Sequence, residues 1–224
     1  MIEVNAPQRR VVLYGIGSPL VIDAEETCFR AGVEIVAGVR NVDGATYVTD
    51  AVRIVTPAAL TDAERECDVL VALFTPGHRR AAFEDALRAG FSRGATVVDP
   101  TSPIARSARI GQGVFINAGC VIAGACRLGD WVVVNRSASI GHDARIGDYA
   151  SIGPGAVLAG NVIVGRGAVI GAGSVVLPEM EIGENAVVGA GTVVNTHVAP
   201  NNLVVGNPCR VAKTGIAGYK GMSI

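Results

Sequence analysis

The sequence predicts a small parallel α/β domain followed by a parallel β-helix. Three observations carry this. Over the first hundred residues short apolar runs bounded by glycine alternate with helical patterns, the order of a parallel sheet with crossover helices. Asp99-Pro-Thr-Ser-Pro103 then ends the alternation with two prolines that stiffen the chain. From Ile104 to Val194 every sixth residue is Ile, Leu or Val, sixteen positions in one phase without an insertion. The domains are expected at residues 1–99 and 100–224, the second closing with a C-terminal cap.

In the first unit, Val11-Val-Leu-Tyr14 reads as a buried strand ending at Gly15-Ile-Gly17. Ser18 suits an N-cap and Pro19 the first helical position, so a helix is expected up to about Ala31 with Gly32 as its stop. Glu34–Gly38 follows as a second strand, with a polar loop from Arg40 to Gly44. Asp68–Phe74 is the third strand, Arg80–Ala89 the next helix and Ala95–Val98 a fourth short strand. The alternation is Rossmann-like.

In the second unit three hexapeptides make one triangular coil, and residues eighteen apart stack. The aliphatic at each repeat start points into the prism, and the residue four on, small or β-branched, joins it. The residue after each aliphatic is usually Gly, Asn or Ala, and it is expected to turn the corner with a positive φ. Each buried aliphatic contributes roughly 1.5–3 kcal/mol. Aromatics are only 4 % of the chain and glycines number 29, so the core has to be aliphatic and the turns glycine-rich.

A net charge of −1 argues against nucleic acid or an anionic membrane as partner. Five scattered cysteines without a CxxC pair suit a reducing compartment, and no N-terminal run has signal-peptide form. A soluble cytoplasmic protein is expected.

Few residues can carry chemistry. Gly15-Ile-Gly17 is a fragment of a phosphate-binding turn, but Leu20 replaces the third glycine, and Arg40 and Asn41 follow the second strand where an acid would stand. A dinucleotide is therefore disfavoured, and a nucleotide or its diphosphate near the helix N-terminus is the other reading. His142 interrupts the repeat one place past Gly141, which directs it outward, with Asp143 beside it to orient the imidazole. It reads as a general base or as a plain surface histidine. His78 and His197 offer no short-range partner for a metal, so none is expected. Asn117 and Asn135 stack eighteen apart at one corner; the first reads as a turn residue, the second as a site candidate. Cys120 and Cys126 fall in the inward column as core thiols.

Leu13-Tyr-Gly-Ile-Gly17, Ala95-Thr-Val-Val-Asp-Pro100, Gly141-His-Asp-Ala-Arg-Ile-Gly-Asp148, Ile152-Gly-Pro-Gly-Ala-Val-Leu-Ala-Gly-Asn161 and Val205-Gly-Asn-Pro208 carry a resemblance. The chain resembles the hexapeptide-repeat sugar acyltransferases of the sialic-acid O-acetyltransferase type, close to bacterial N-acetyltransferases of nucleotide-linked amino-sugars. The resemblance implies a left-handed β-helix, a homotrimer, and acetyl-CoA in the groove between adjacent β-helices. It implies a nucleotide-sugar in the N-terminal domain, with Gly15, Gly17, Ser18, Arg40 and Thr75 as candidates. His142 matches the family's base, Asp143 its acidic partner, and the Gly160 amide the contact to the thioester carbonyl. Asn135 and Ser151 complete the acetyl-CoA candidates. Many members carry a second histidine where Ser151 stands, and a glycine-rich turn Gly-x-Gly-Gly-His whose last two residues are here Ser18-Pro19. Transfer to an amino group leads; transfer to a hydroxyl, as on sialic acid, and a metal-dependent or non-catalytic β-helix are the alternatives.

Overall fold

A computed structural model describes residues 9–224; residues 1–8 of the expected first domain lie outside the described residues. The first unit is built from β1 (Arg10–Tyr14), α1 (Leu20–Arg30), β2 (Glu34–Val39), β3 (Ile54–Val55), α2 (Asp62–Arg65), β4 (Asp68–Leu70) and α3 (Pro76–Arg88). Its sheet is parallel in the order β3-β2-β1-β4. Val11 to Tyr14 are all buried, because β1 is central and covered on both faces, and this explains its unbroken apolar run. Pro19 already has helical angles and Ser18 Oγ accepts from Leu20 N at 3.4 Å, which is the expected cap.

Three expectations for this unit need correction. The third strand stops at Leu70, since its partner β1 ends one residue after Leu13, which pairs with Leu70. Val71–Phe74 runs on without a ladder towards α3. That helix starts at Pro76, four residues before Arg80, because proline at the first helical position loses no hydrogen bond there. The fourth strand is divided: Ala95 N still donates to Val69 O of β4 at 2.8 Å, while β5 (Val97–Val98) pairs with Phe115–Ile116 as the first rung of the β-helix. β3 and α2 went unanticipated, although Thr61 and Glu64 form a capping box that is legible as Thr-x-x-Glu.

The β-helix is left-handed and holds fifteen two-residue strands from Arg109–Ile110 to Val193–Val194. They stack at a spacing of eighteen into three parallel sheets, as in Val133↔Ser151, Ser139↔Val157 and Arg145↔Ile163. Repeat aliphatics and the small residues between them form one continuous core, including Cys120 and Cys126. The outward residues differ by face. The first face (Phe115, Val133, Ser151, Val169) is buried. The second carries Val121, Ser139 and Val157, the third Arg109, Arg127 and Arg145.

The corner expectation also needs correction. Positive φ falls on the third residue after every aliphatic from Ile110 to Val188, at Asp143 (φ 59°) and Asn161 (φ 60°) for example, and not on the first. The first residue is small because the next coil lies against it: a Cβ added at Gly141 would stand 2.6 Å from Ala159 C and 2.7 Å from Gly160 N. Close approach of backbone, and not left-handed backbone, selects glycine there.

The solenoid ends in the antiparallel pair Leu203–Val205 and Arg210–Lys213, with Val204 and Cys209 closing the core. The remaining residues turn back along the corner between the third and first faces.

The α/β unit is clamped to the first face. Phe115 and Val133 pack with Val21, Ala24 and Cys28 of α1. Trp131 packs on Phe83 of α3 with ring centroids 3.8 Å apart and stacks on Tyr149 at 6.2 Å. Fully buried Arg79 donates to the carbonyls of Trp131, Leu73, Phe74, Tyr149 and Ala150 and to Ser151 Oγ. Burial lowers its pKa to about 9, still above neutrality, so Arg79 is a buried cation held by carbonyl dipoles. Buried Asp99 receives Thr27, Arg30 and Thr101. Burial disfavours its charge, but the hydrogen bonds from Arg30, Thr101 and Thr27 outweigh that and hold the pKa at about 2.

Candidate active site

Corners between the second and third faces stand free of the α/β unit, and His142 lies on one of them. Neighbouring side chains on an extended strand point to opposite faces; the left-handed backbone at Asp143 places this pair side by side instead. His142 Nδ1 and Asp143 Oδ2 are 2.9 Å apart, with both side chains more than half exposed. An Nδ1–H donated to the carboxylate leaves Nε2 as the acceptor. The imidazole edge lies over the next coil, since a Cβ added at Gly160 would stand 2.5 Å from Nε2. Glycine at 160 is therefore what allows the ring its place. Asn161 N donates to His142 O at 2.8 Å and Glu179 N to Gly160 O at 3.0 Å, which fixes the two coils. The Gly160 N–H has no partner among the described residues.

The other two acetyl-CoA candidates do not gather here. Ser151 is a correction: it is wholly buried on the first face, donates to Phe74 O at 2.6 Å and accepts from Arg79 at 3.0 Å. Its hydroxyl is spent on joining the two units. Asn135 sits at the corner between the first and second faces, where its Oδ1 accepts from Asn117 Nδ2 at 3.1 Å and Arg136 N at 2.8 Å. Within one chain it stands on a different edge from His142.

A second site lies in the first unit, a cavity of about 670 Å³ at the N-terminal ends of α1 and α3. Gly15, Gly17, Ser18 and Thr75 line it. Arg40 does not; it is exposed, and Asn41 takes the lining position because the chain turns after Val39. Sequence reasoning missed His78, Ala81, Ala82, Asp85 and Arg88, which form one helical face of α3. Their spacing was legible, but a helix begun at Arg80 loses His78. Asp85 is held between Tyr14 OH at 2.7 Å and Arg88 at 3.2 Å. Burial first, and then the Asp85 carboxylate, keep the Tyr14 phenol protonated well above its ordinary range. Tyr219 and Lys220, from the far end of the chain, also line the cavity.

Among the described residues no three His, Cys, Asp or Glu side chains converge as metal ligands, and no helix is long and apolar enough to cross a membrane.

The bacterial transferase hexapeptide family (six repeats) matches residues 143–178. No curated protein matches the sequence. Among solved structures, PerB from Caulobacter crescentus, in complex with CoA and GDP-perosamine, is 28 % identical with a TM-score of 0.81 and covers 93 % of this chain and 99 % of its own. Variants of that N-acetyltransferase with one histidine replaced by Asn or by Ala have also been solved with the same two ligands. The acetyltransferase domain of PglB from Neisseria gonorrhoeae, in complex with acetyl coenzyme A, is 26 % identical with a TM-score of 0.79 and covers 92 % of this chain and 100 % of its own. WeeI from Acinetobacter baumannii shares the fold at 23 % identity and a TM-score of 0.74, over 91 % of this chain and 99 % of its own. The chain thus carries the bacterial transferase hexapeptide repeat over residues 143–178 and is similar over nearly its whole length to solved N-acetyltransferases of this architecture.

Proposed function

We propose that the protein moves an acetyl group from acetyl-CoA to the amino group of a nucleotide-linked amino-sugar, with His142 as general base. The observation that carries this is the His142–Asp143 pair poised over Gly160 on an open edge of the β-helix. The full-length likeness to PerB, solved with CoA and GDP-perosamine, supports the substrate class.

The chemistry follows from the geometry. A neutral amine attacks the thioester carbonyl as Nε2 of His142 takes its proton. Asp143 holds the tautomer that leaves Nε2 free and stabilises the imidazolium that forms. The unpartnered Gly160 N–H is the donor for the oxyanion. The carbon–sulfur bond then breaks and the proton passes to the departing thiolate, so no acyl-enzyme is needed. The sugar's nucleotide lies in the cavity lined by Gly15, Gly17, Ser18 and Thr75. In this reading residues 1–99 hold the nucleotide-sugar and 100–224 perform the transfer.

A homotrimer is part of the proposal. The second face exposes Val121 at 44 % and Val157 at 41 %, and Leu177 at 38 % adjoins them on the His142 corner, apolar surface suited to another copy. Packing of copies would form the walls of an acetyl-CoA groove, and Asn135 contributes only if it comes from the neighbouring chain. Five free thiols support a reducing compartment, the cytoplasm, as the setting of such an enzyme.

The test is to offer acetyl-CoA with UDP-, dTDP- and GDP-linked amino-sugars, and with free sialic acid, and to read acetylation by mass. One acetylated amino-sugar is expected. Acetylation of the sialic acid alone would establish the hydroxyl reading instead.

A further inference from the structure

The chain's last residues do not end at the solenoid cap. After the antiparallel pair they return along the β-helix to the α/β unit and fasten to both. Ile216 N donates to Asn201 O at 2.8 Å and Ile224 N to Asn185 Oδ1 at 3.0 Å. Ile224 lies on Gly167, and Met222 lies on Gly77 in the first turn of α3, where an added Cβ would stand 2.5 Å from Met222 Cβ. Tyr219 meets Phe74 edge to face at 6.1 Å. Between these anchors Gly218-Tyr219-Lys220-Gly221 makes a tight turn, with Gly221 N donating to Gly218 O at 3.2 Å.

That turn holds an unfavourable backbone. Lys220 has φ 56° and ψ 28°, between Gly218 at φ 76° and Gly221 at φ 74°. A left-handed lysine costs roughly 1–2 kcal/mol, and such positions persist where the surroundings impose them, often at ligand clamps. Lys220 so placed lines the cavity together with Tyr219, its Nζ 6.0 Å from the Tyr219 ring centroid. The sequence contains only two lysines, and Lys220 is one of them.

From this we infer that the returning segment is a wall of the nucleotide site and that Lys220 binds the diphosphate of the nucleotide-sugar. The inference rests on the reading of the cavity as the nucleotide pocket. The N–H groups of Gly77 and His78 at the start of α3, without a partner among the described residues, already favour an anion there. Cationic Lys220 adds a charge-assisted donor, and His78 and Arg88 complete a ring of nitrogen donors around a space of nucleotide size. Asp85, tied to Tyr14 and Arg88, stands on the same α3 face as an acceptor for hydroxyl or base.

Calorimetric titration of the full chain with UDP, GDP and dTDP tests it. The wild type is expected to bind at least one, and Lys220→Gln to bind that nucleotide roughly tenfold more weakly with a shallower salt dependence. A chain ending at Ala217 should show the same loss or more. In turnover assays both variants should raise KM for the nucleotide-sugar and leave KM for acetyl-CoA unchanged. If the wild type binds a nucleoside diphosphate and Lys220→Gln binds it equally well, the role of Lys220 is wrong and the pocket stands. If the wild type binds none of the three, the pocket reading fails and this inference with it.

Discussion

Two edges of the same prism use one backbone slot for opposite ends. On the corner between the third and first faces, the left-handed position three residues after the aliphatic holds Trp131 (φ 59°) and Tyr149 (φ 58°). Both are bulky residues for which this backbone is costly. They stay there because their rings dock the α/β unit, Trp131 on Phe83 and Tyr149 on Trp131, over carbonyls gathered by Arg79. On the corner between the second and third faces the same slot holds Asp143, Asn161 and Glu179, polar and exposed. No part of the described chain covers that edge, and the imidazole–carboxylate pair lies on it. The repeat supplies identical geometry at both edges; what is hung on the slot decides whether an edge binds a domain or a substrate.

Removing the base at the open edge should have the largest effect. His142→Ala is expected to lower kcat by about 10²–10⁴ with an unchanged Tm, read by steady-state kinetics and thermal unfolding. Asp143→Asn should cause a smaller drop, since it loosens the tautomer and leaves the base. Near-normal turnover of His142→Ala on the best substrate would sink the assignment of that edge to chemistry.

At the docked edge the pattern should reverse, with stability lost before chemistry. Arg79→Met removes a donor from five carbonyls, of which those of Trp131, Leu73 and Tyr149 keep no other partner among the described residues, and should cost about 3 kcal/mol or more, seen as a fall in Tm. Its nucleotide affinity should fall too, because Arg79 holds Leu73 and Phe74, which line the cavity. A variant with unchanged Tm would show that the clamp contributes nothing.

The junction that joins the units should make this docking acid-sensitive. Asp99 has its pKa lowered from 3.8 to about 2 in the folded chain. A depressed carboxylate stabilises the fold above its unfolded pKa, by about 2 kcal/mol here, and that contribution fades as pH falls from about 4 towards 2. Unfolding of the wild type should therefore steepen with acid over that window, and Asp99→Asn should flatten it.

What the sequence made legible divides along the same line. The sixfold aliphatic phase is a local pattern repeated sixteen times, and the α/β alternation is carried by runs such as Val11–Tyr14 that are apolar because both faces are covered. His142 stood out because the pattern lapses there. Glycine misled, since it serves two purposes: at Gly141 it yields room to the next coil, while the left-handed slot two places on was filled by Asp143. Ser151 misled for a different reason, because whether an outward residue faces solvent or a docked domain depends on packing between units. Arg79, Tyr219 and Lys220 were invisible on the same ground. Nothing local says that residue 79 meets residue 149, or that residue 220 returns to residue 74.

The smallest effects give the sharpest test of the comparison, since they isolate the slot itself. Glu179 is exposed at the open edge and makes no hydrogen bond through its side chain among the described residues. Glu179→Gly relieves the left-handed penalty but adds freedom to the unfolded chain, two terms of about 1 kcal/mol and opposite sign. Its stability should move by less than about 1 kcal/mol. Trp131→Gly relieves the same penalty in the same slot, yet it empties the space between Gly94, Gly113, Phe83 and Tyr149. Loss of a buried aromatic costs about 3 kcal/mol or more, so the net change should be clearly destabilising. Equilibrium unfolding of the two variants side by side measures that difference directly. Equal values would mean that Trp131 is tolerated at its corner and does not fasten the domains, and the contrast between the two edges would then lie in the chemistry alone.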